Sequence, residues 1–145
     1  MRAEQKLQID AIKGNRMYFA VFENFVFITD GHCGVYLKEK ELKIDKAKMM
    51  QIDEKAAKQF DPQTIKDHRV KAKITNAAYR CMSGFAIKIK STENETQCFV
   101  QEKFLKMFDG ANGMFIESEK APVYVERYGL PYGIILPIHV YNESE

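Results

Sequence analysis

The residues of this chain best equipped for chemistry are a histidine and a cysteine side by side, His32-Cys33, and a scatter of lysines. A thiol beside an imidazole is the raw material of a nucleophilic dyad. Both lie in the run Phe25-Val26-Phe27-Ile28-Thr29-Asp30-Gly31-His32-Cys33-Gly34-Val35-Tyr36-Leu37. That run reads as two strands around an Asp-Gly turn, because glycine takes positive φ without steric cost. Neighbouring residues of a strand point to opposite faces, so His32 and Cys33 are not expected to share a proton. Asp30 is accounted for by the turn. No glycine-rich phosphate loop follows a strand, and neither HExxH nor GxSxG occurs. His68 and His139 have no partners at ligand spacing. The three cysteines, Cys33, Cys81 and Cys98, form no CxxC pair. They read as small buried thiols, not as a disulfide framework or a zinc site. No catalytic residue, metal or cofactor is expected.

The lysines suggest a different chemistry. Net charge is only +2, from 22 Lys and Arg against 20 Asp and Glu, so composition alone does not point to nucleic acid. Clustering on one face would. Lys48, Gln51, Lys55 and Lys58 recur at i, i+3, i+7 and i+10, which is one stripe of a helix. Lys103 and Lys106 repeat at i, i+3. Two such stripes could track phosphates without reading bases. Glu54 and Glu102 interrupt the charge, as on the solvated face of any amphipathic helix.

The elements that must position these residues follow from periodicity. Residues 5–13 alternate apolar and polar and predict a half-buried strand. Residues 17–22, 25–29 and 34–38 predict a meander of strands. Between 45 and 60 there is no glycine or proline, and Met49, Ile52, Ala56 and Phe60 recur at helical spacing. Asp45 can cap such a helix and Pro62 stops it. Strand patterns return at 69–75, 79–82, 85–90 and 97–100. A short helix is predicted over 101–108, then strands over 114–117, 123–127 and 134–140. Pro122 and Pro131 fall at strand starts or turns, where proline is tolerated. The 145 residues are enough for one domain with its own core. The order of elements predicts an α+β fold, with helices packed on one face of an antiparallel sheet. No run is apolar enough to span a bilayer, and the polar N-terminus carries no signal core, so a cytoplasmic protein is expected. Asn94-Glu95-Thr96 and Asn142-Glu143-Ser144 match the glycosylation pattern, which matters only in a secreted chain.

Two blocks of the sequence resemble one known family. Thr29-Asp30-Gly31-His32 is similar to the "TDGH" segment of bacterial sliding clamps, the β subunit of replicative DNA polymerase III. The second block runs Cys98-Phe99-Val100-Gln101-Glu102-Lys103-Phe104-Leu105-Lys106-Met107-Phe108-Asp109-Gly110, then Met114-Phe115-Ile116-Glu117, Pro122-Val123-Tyr124-Val125 and Ile134-Ile135-Leu136-Pro137-Ile138-His139-Val140. It resembles the second half of a clamp domain, where a strand leads into a short helix and three strands follow. Leu136-Pro137-Ile138 is similar to the segment that closes such domains. The resemblance covers roughly residues 17–38 and 97–140. Cys33 and Gly34 stand where the family has arginine and an aliphatic residue.

The resemblance implies a single clamp-like domain with two helices on one face of the sheet and no enzymatic activity. In the family, several such domains close a ring around DNA. One domain of this length cannot encircle a duplex, so the same role here implies self-assembly into a homo-oligomer. Lys48, Lys55, Lys58, Lys103 and Lys106 would then face double-stranded DNA without regard to sequence. Thr29, Gly31, His32, Leu136, Pro137 and Ile138 would form a pocket for peptide motifs of replication or repair proteins. The alternative is a clamp-fold interaction module that binds a protein partner and does not encircle DNA.

Overall fold

Strand alternation decides most of the architecture. The computed structural model describes residues 1–82 and 84–140; the Asn142-Glu143-Ser144 pattern lies outside the described residues. The chain forms helix α1 (Ala3–Ile12), then strands β1 (Tyr18–Val21), β2 (Val26–Thr29), β3 (Cys33–Leu37) and β4 (Met50–Gln51). A one-turn helix α2 (Glu54–Ala57) precedes β5 (Val70–Cys81), β6 (Gly84–Ser91) and β7 (Gln97–Gln101). After the short α3 (Glu102–Leu105) come β8 (Gly113–Ile116), β9 (Val123–Arg127) and β10 (Leu130–Ile135). Among the described residues these ten strands join one sheet in the order β4-β1-β2-β3-β10-β9-β8-β5-β6-β7. Every pairing is antiparallel except β1 with β4. The fold is therefore α+β, with a mostly antiparallel sheet.

The sheet curls. Phe99 on its last strand, β7, makes an isolated antiparallel bridge with Ile138, three residues beyond the end of β10. The bridge is carried by the Ile138 amide, which donates to the Phe99 carbonyl at 2.8 Å. On the inner face Val26, Ile28, Cys33, Val35, Ile89, Val100 and Val125 form the main core. Ala3 and Leu7 of α1 pack into the same cluster, with Phe104, Leu105 and Phe108. Phe27, Tyr36, Tyr124 and Ile134 face outward and would be exposed if nothing covered them. The chain between β4 and β5 does so, through Ile52, Phe60 and Ile65. It is tied down where the Tyr36 hydroxyl donates to the Phe60 carbonyl at 2.5 Å.

The structure departs from several expectations. Residues 5–13 belong to a helix, not a strand: Ala3, Leu7 and Ala11 repeat at i, i+4 and i+8 and face the core. Lys6 pairs with Asp10 one turn on, at 2.7 Å. Residues 45–60 are not one helix. Asp45 caps a separate 3-10 turn, its carboxylate accepting from the Ala47 amide at 2.9 Å. The amides of Met50 and Ile52 donate to the carbonyls of Met17 and Phe19, which pulls the chain straight into β4. Met49 accordingly enters the inner core, whereas Ile52 and Phe60 pack on the outer cluster. Ala56 is exposed and its neighbour Ala57 takes the buried place. The helix expected over 101–108 shrinks to α3, which half-buries Phe104, followed by turns that bury Phe108. The 45–60 segment divides between the two faces, with Met49 on the inner and Ile52 and Phe60 on the outer, while α1 and α3 pack on the inner one. Among the described residues no helix is long and apolar enough to cross a membrane.

Two glycines set how closely β3 and β10 approach. A side chain at Gly133 would run into the Phe108 ring and the Gly34 carbonyl, and one at Gly34 would run into the Phe27 ring. That contact explains why no aliphatic residue stands at 34. Overpacking of this kind costs about 1–3 kcal/mol. Gly133→Ala is expected to lower unfolding stability in urea by about 2 kcal/mol. Gly113→Ala, where the nearest atoms lie at 3.5 Å, should change it far less.

Candidate functional site

The Thr29-Asp30-Gly31-His32 turn is held by its own polar atoms. The Thr29 hydroxyl donates to the Cys33 carbonyl at 2.6 Å and accepts from the Gly31 amide at 3.1 Å. Asp30 Oδ1 accepts from the amides of His32 at 2.8 Å and Cys33 at 3.1 Å. Gly31 sits at φ +94°, a conformation that suits glycine. Thr29, Asp30 and Gly31 are thus engaged in building the turn. His32 is left exposed at its tip, and its ring stacks on Phe104 of α3 with centroids 5.7 Å apart and planes at 9°.

The turn meets the chain beyond β10. The Leu136 amide donates to the His32 carbonyl at 3.0 Å, and two residues later Ile138 reaches Phe99. The β2–β3 turn, β7, α3 and Leu136-Pro137-Ile138 therefore converge. Pro137 and Ile138 floor an open cleft of about 470 Å³ rimmed by Glu119, Lys120 and His139. The His139 ring nitrogen stands 3.9 Å from Glu119. His32 touches the same segment but does not line this cleft, so the polar rim is Glu119, Lys120 and His139 instead. Glu119, Lys120 and Phe99 were not singled out from the sequence, and His139 was weighed there only as a ligand. Strand alternation places Phe99 outward, but nothing in the 117–121 loop marks Glu119 or Lys120.

A second cleft, of about 570 Å³, is also lined by Lys120. Arg69, one of its lining residues, is committed to structure. Nε and Nη2 donate to the Pro122 carbonyl at 3.1 and 2.9 Å, and Nη1 donates to Ile65 at 2.8 Å. Burial draws the guanidinium down from its ordinary value and nearby Glu117 opposes this.

The lysines expected to form one stripe are dispersed. Lys48 ends a 3-10 turn, Lys55 lies in α2 and Lys58 starts another 3-10 turn, with the extended β4 between the first two. Lys103 lies over the Phe104 ring at 5.0 Å and Lys106 pairs with Glu102 at 3.4 Å.

His32 is exposed in the turn, whereas Cys33 opens β3. Cys33 is fully buried, and burial, reinforced by Asp30, pushes its thiol up to about 12. Burial does the same to Cys98. A protonated, enclosed thiol is no nucleophile. Among the described residues no group of three or more His, Cys, Asp or Glu is arranged to hold a metal. Comparison with known proteins finds no match: no protein-family model, no curated protein and no solved structure corresponds to the chain.

The buried acids give the fold an alkaline limit. Tyr36 and Tyr124 are raised as well, chiefly by burial. A group whose folded pKa lies above its unfolded value stabilises below the latter, and that stability is lost as pH rises toward the former. For Cys33 and Cys98 the loss begins near 9.0 and runs to about 12. The urea midpoint is expected to fall between about pH 8 and about pH 11. Cys98→Ala should lower it at both ends but flatten the decline between them.

Proposed function

We propose that this chain is a non-enzymatic interaction module that holds an extended peptide of a partner protein without encircling DNA. The observation that carries the reading is the convergence at Leu136-Pro137-Ile138. An extended peptide needs an apolar floor and a few polar edge groups to fix its register. Pro137 and Ile138 supply the first; Glu119, Lys120 and His139 supply the second. The clamp resemblance, through the same residues, suggests replication or repair proteins as the source of the peptide. A ring around DNA would rest on basic helices, and that support is weak here. Lys48, Lys55 and Lys58 share no helix, and Lys106 is paired.

Fluorescence anisotropy with a labelled clamp-binding peptide of a replicative polymerase, alongside peptides selected from a random display library, tests this. Saturable binding by the wild type is expected, with at least a tenfold loss, about 1.4 kcal/mol, for Ile138→Asp. Lys120→Ala, at the rim, should fold normally and weaken binding several-fold, so a misfolded Ile138 variant does not end the experiment. Absence of saturable binding by any peptide, or equal binding by both variants, would overturn the reading.

A further inference from the structure

The whole chain is nearly neutral, yet the β5–β6 hairpin is not. Between residues 70 and 91 stand Lys71, Lys73, Arg80, Lys88 and Lys90, and no acidic residue. Strand register sorts them by face. Ala72 pairs with Ser91 and Ile74 with Ile89; Ala72, Ser91 and Ile89 are buried, whereas Ile74 is exposed on the same side. Lys73 pairs with Lys90, and Lys88 with Phe99, so these turn outward, as does Lys71 opposite Phe115. Four lysines therefore occupy one outer face in two short rows. Same-face residues along a strand are roughly 7 Å apart, and neighbouring strands roughly 5 Å.

This arrangement is unfavourable by itself. Lys73 and Lys90 are directly opposed like charges, a pairing that destabilises a sheet. Among the described residues, Lys71, Lys73 and Lys88 have no carboxylate within ion-pair reach. Lys90 meets only Glu95, at 3.6 Å, on a fully solvated side chain. The segment that covers the outer face elsewhere packs on Phe27, Tyr36 and Tyr124 and leaves Lys71 and Lys73 exposed. Beside the lysines lie two half-buried rings. Tyr79 and Phe99 meet edge to face at 5.3 Å, and Lys88 Nζ is 5.9 Å from the Phe99 centroid.

We infer that the outer face of β5–β6–β7 binds single-stranded nucleic acid without sequence preference. Lys71, Lys73, Lys88 and Lys90 neutralise phosphates, and Tyr79 and Phe99 offer ring surface to unpaired bases. Charge complementarity selects a polyanion, and the rings select among polyanions. A base stacks on an aromatic side chain only when it is unpaired, so a duplex would engage the lysines alone. An acidic peptide would leave the rings idle. A bilayer fits poorly, because the exposed Phe85 at the hairpin tip pairs with Arg80 on the opposite face from the lysine rows.

The test is fluorescence anisotropy on the full chain with a labelled oligothymidylate of about 20 nucleotides. Parallel arms use a duplex of the same length, a polyglutamate peptide and phosphatidylserine-containing vesicles. Oligothymidylate should bind tightest, with affinity falling as salt rises. The double variant Lys73→Gln/Lys90→Gln should weaken binding at least tenfold and reduce the log–log salt slope by roughly 1.4, about 0.7 per phosphate released. It should also melt no lower than the wild type, since it removes a repulsion. Tyr79→Leu should weaken oligothymidylate binding several-fold and leave the salt slope unchanged. A Lys48→Gln/Lys55→Gln/Lys58→Gln variant should bind within about twofold of the wild type. Equal or tighter binding of duplex, polyglutamate or vesicles would overturn the inference. So would a salt slope that ignores the Lys73 and Lys90 substitutions, or the absence of oligothymidylate binding at low salt.

Discussion

Three residue pairs, Gly133 with Val35, Ile134 with Gly34 and Ile135 with Cys33, join two strand groups that would otherwise be separate sheets. On one side stand β4, β1, β2 and β3; on the other, β9, β8, β5, β6 and β7 hang from β10. Such a junction requires close backbone approach, and the glycines on facing strands provide it. One lets the Phe108 ring lie against β10, the other lets Phe27 lie against β3. Both rings belong to the clusters that cover the two faces. The same few ångströms thus fix the sheet order and the packing on either side. They also fix where the chain leaves β10, and so where Leu136 meets the His32 turn.

Antiparallel strands were largely legible because their pattern is local. Val26-Phe27-Ile28 and Val35-Tyr36-Leu37 announce strands by their β-branched and aromatic content. The helical reading of residues 45–60 failed for an equally physical reason. Met49, Ile52 and Phe60 do recur at helical spacing, but they serve different faces of the sheet. No single helix could deliver them there. The amides of Met50 and Ile52 had sheet partners that periodicity cannot see. In α1 the opposite happened: Leu7, Ile9 and Ala11 alternate like a strand, while Ala3, Leu7 and Ala11 are the set that meets the core.

The candidate site divides along the same line. That the turn and the Leu136-Pro137-Ile138 segment belong together was suggested by resemblance, not by pattern. The rim at Glu119, Lys120 and His139 depends on a loop with no periodic signal, and only tertiary structure reveals it. The basic face of β5–β6–β7 was written in the strands as Lys71, Lys73, Lys88 and Lys90. Its meaning required register, because only pairing shows that Lys73 opposes Lys90 and not a carboxylate.

The junction between β3 and β10 has a consequence for synthesis on the ribosome. Every residue of Cys33–Leu37 is buried in the finished protein. Its partner strand is made roughly a hundred residues later, which at about 5–20 residues per second means roughly 5–20 s. Until then β3 presents a bare, apolar edge of the kind that seeks any available strand. The β5–β6 hairpin pairs with itself and needs no such wait. A nascent chain halted before residue 133 would carry that unsatisfied edge outward. Holdase chaperones should therefore bind the β2–β3 hairpin of stalled chains and release it once β10 emerges.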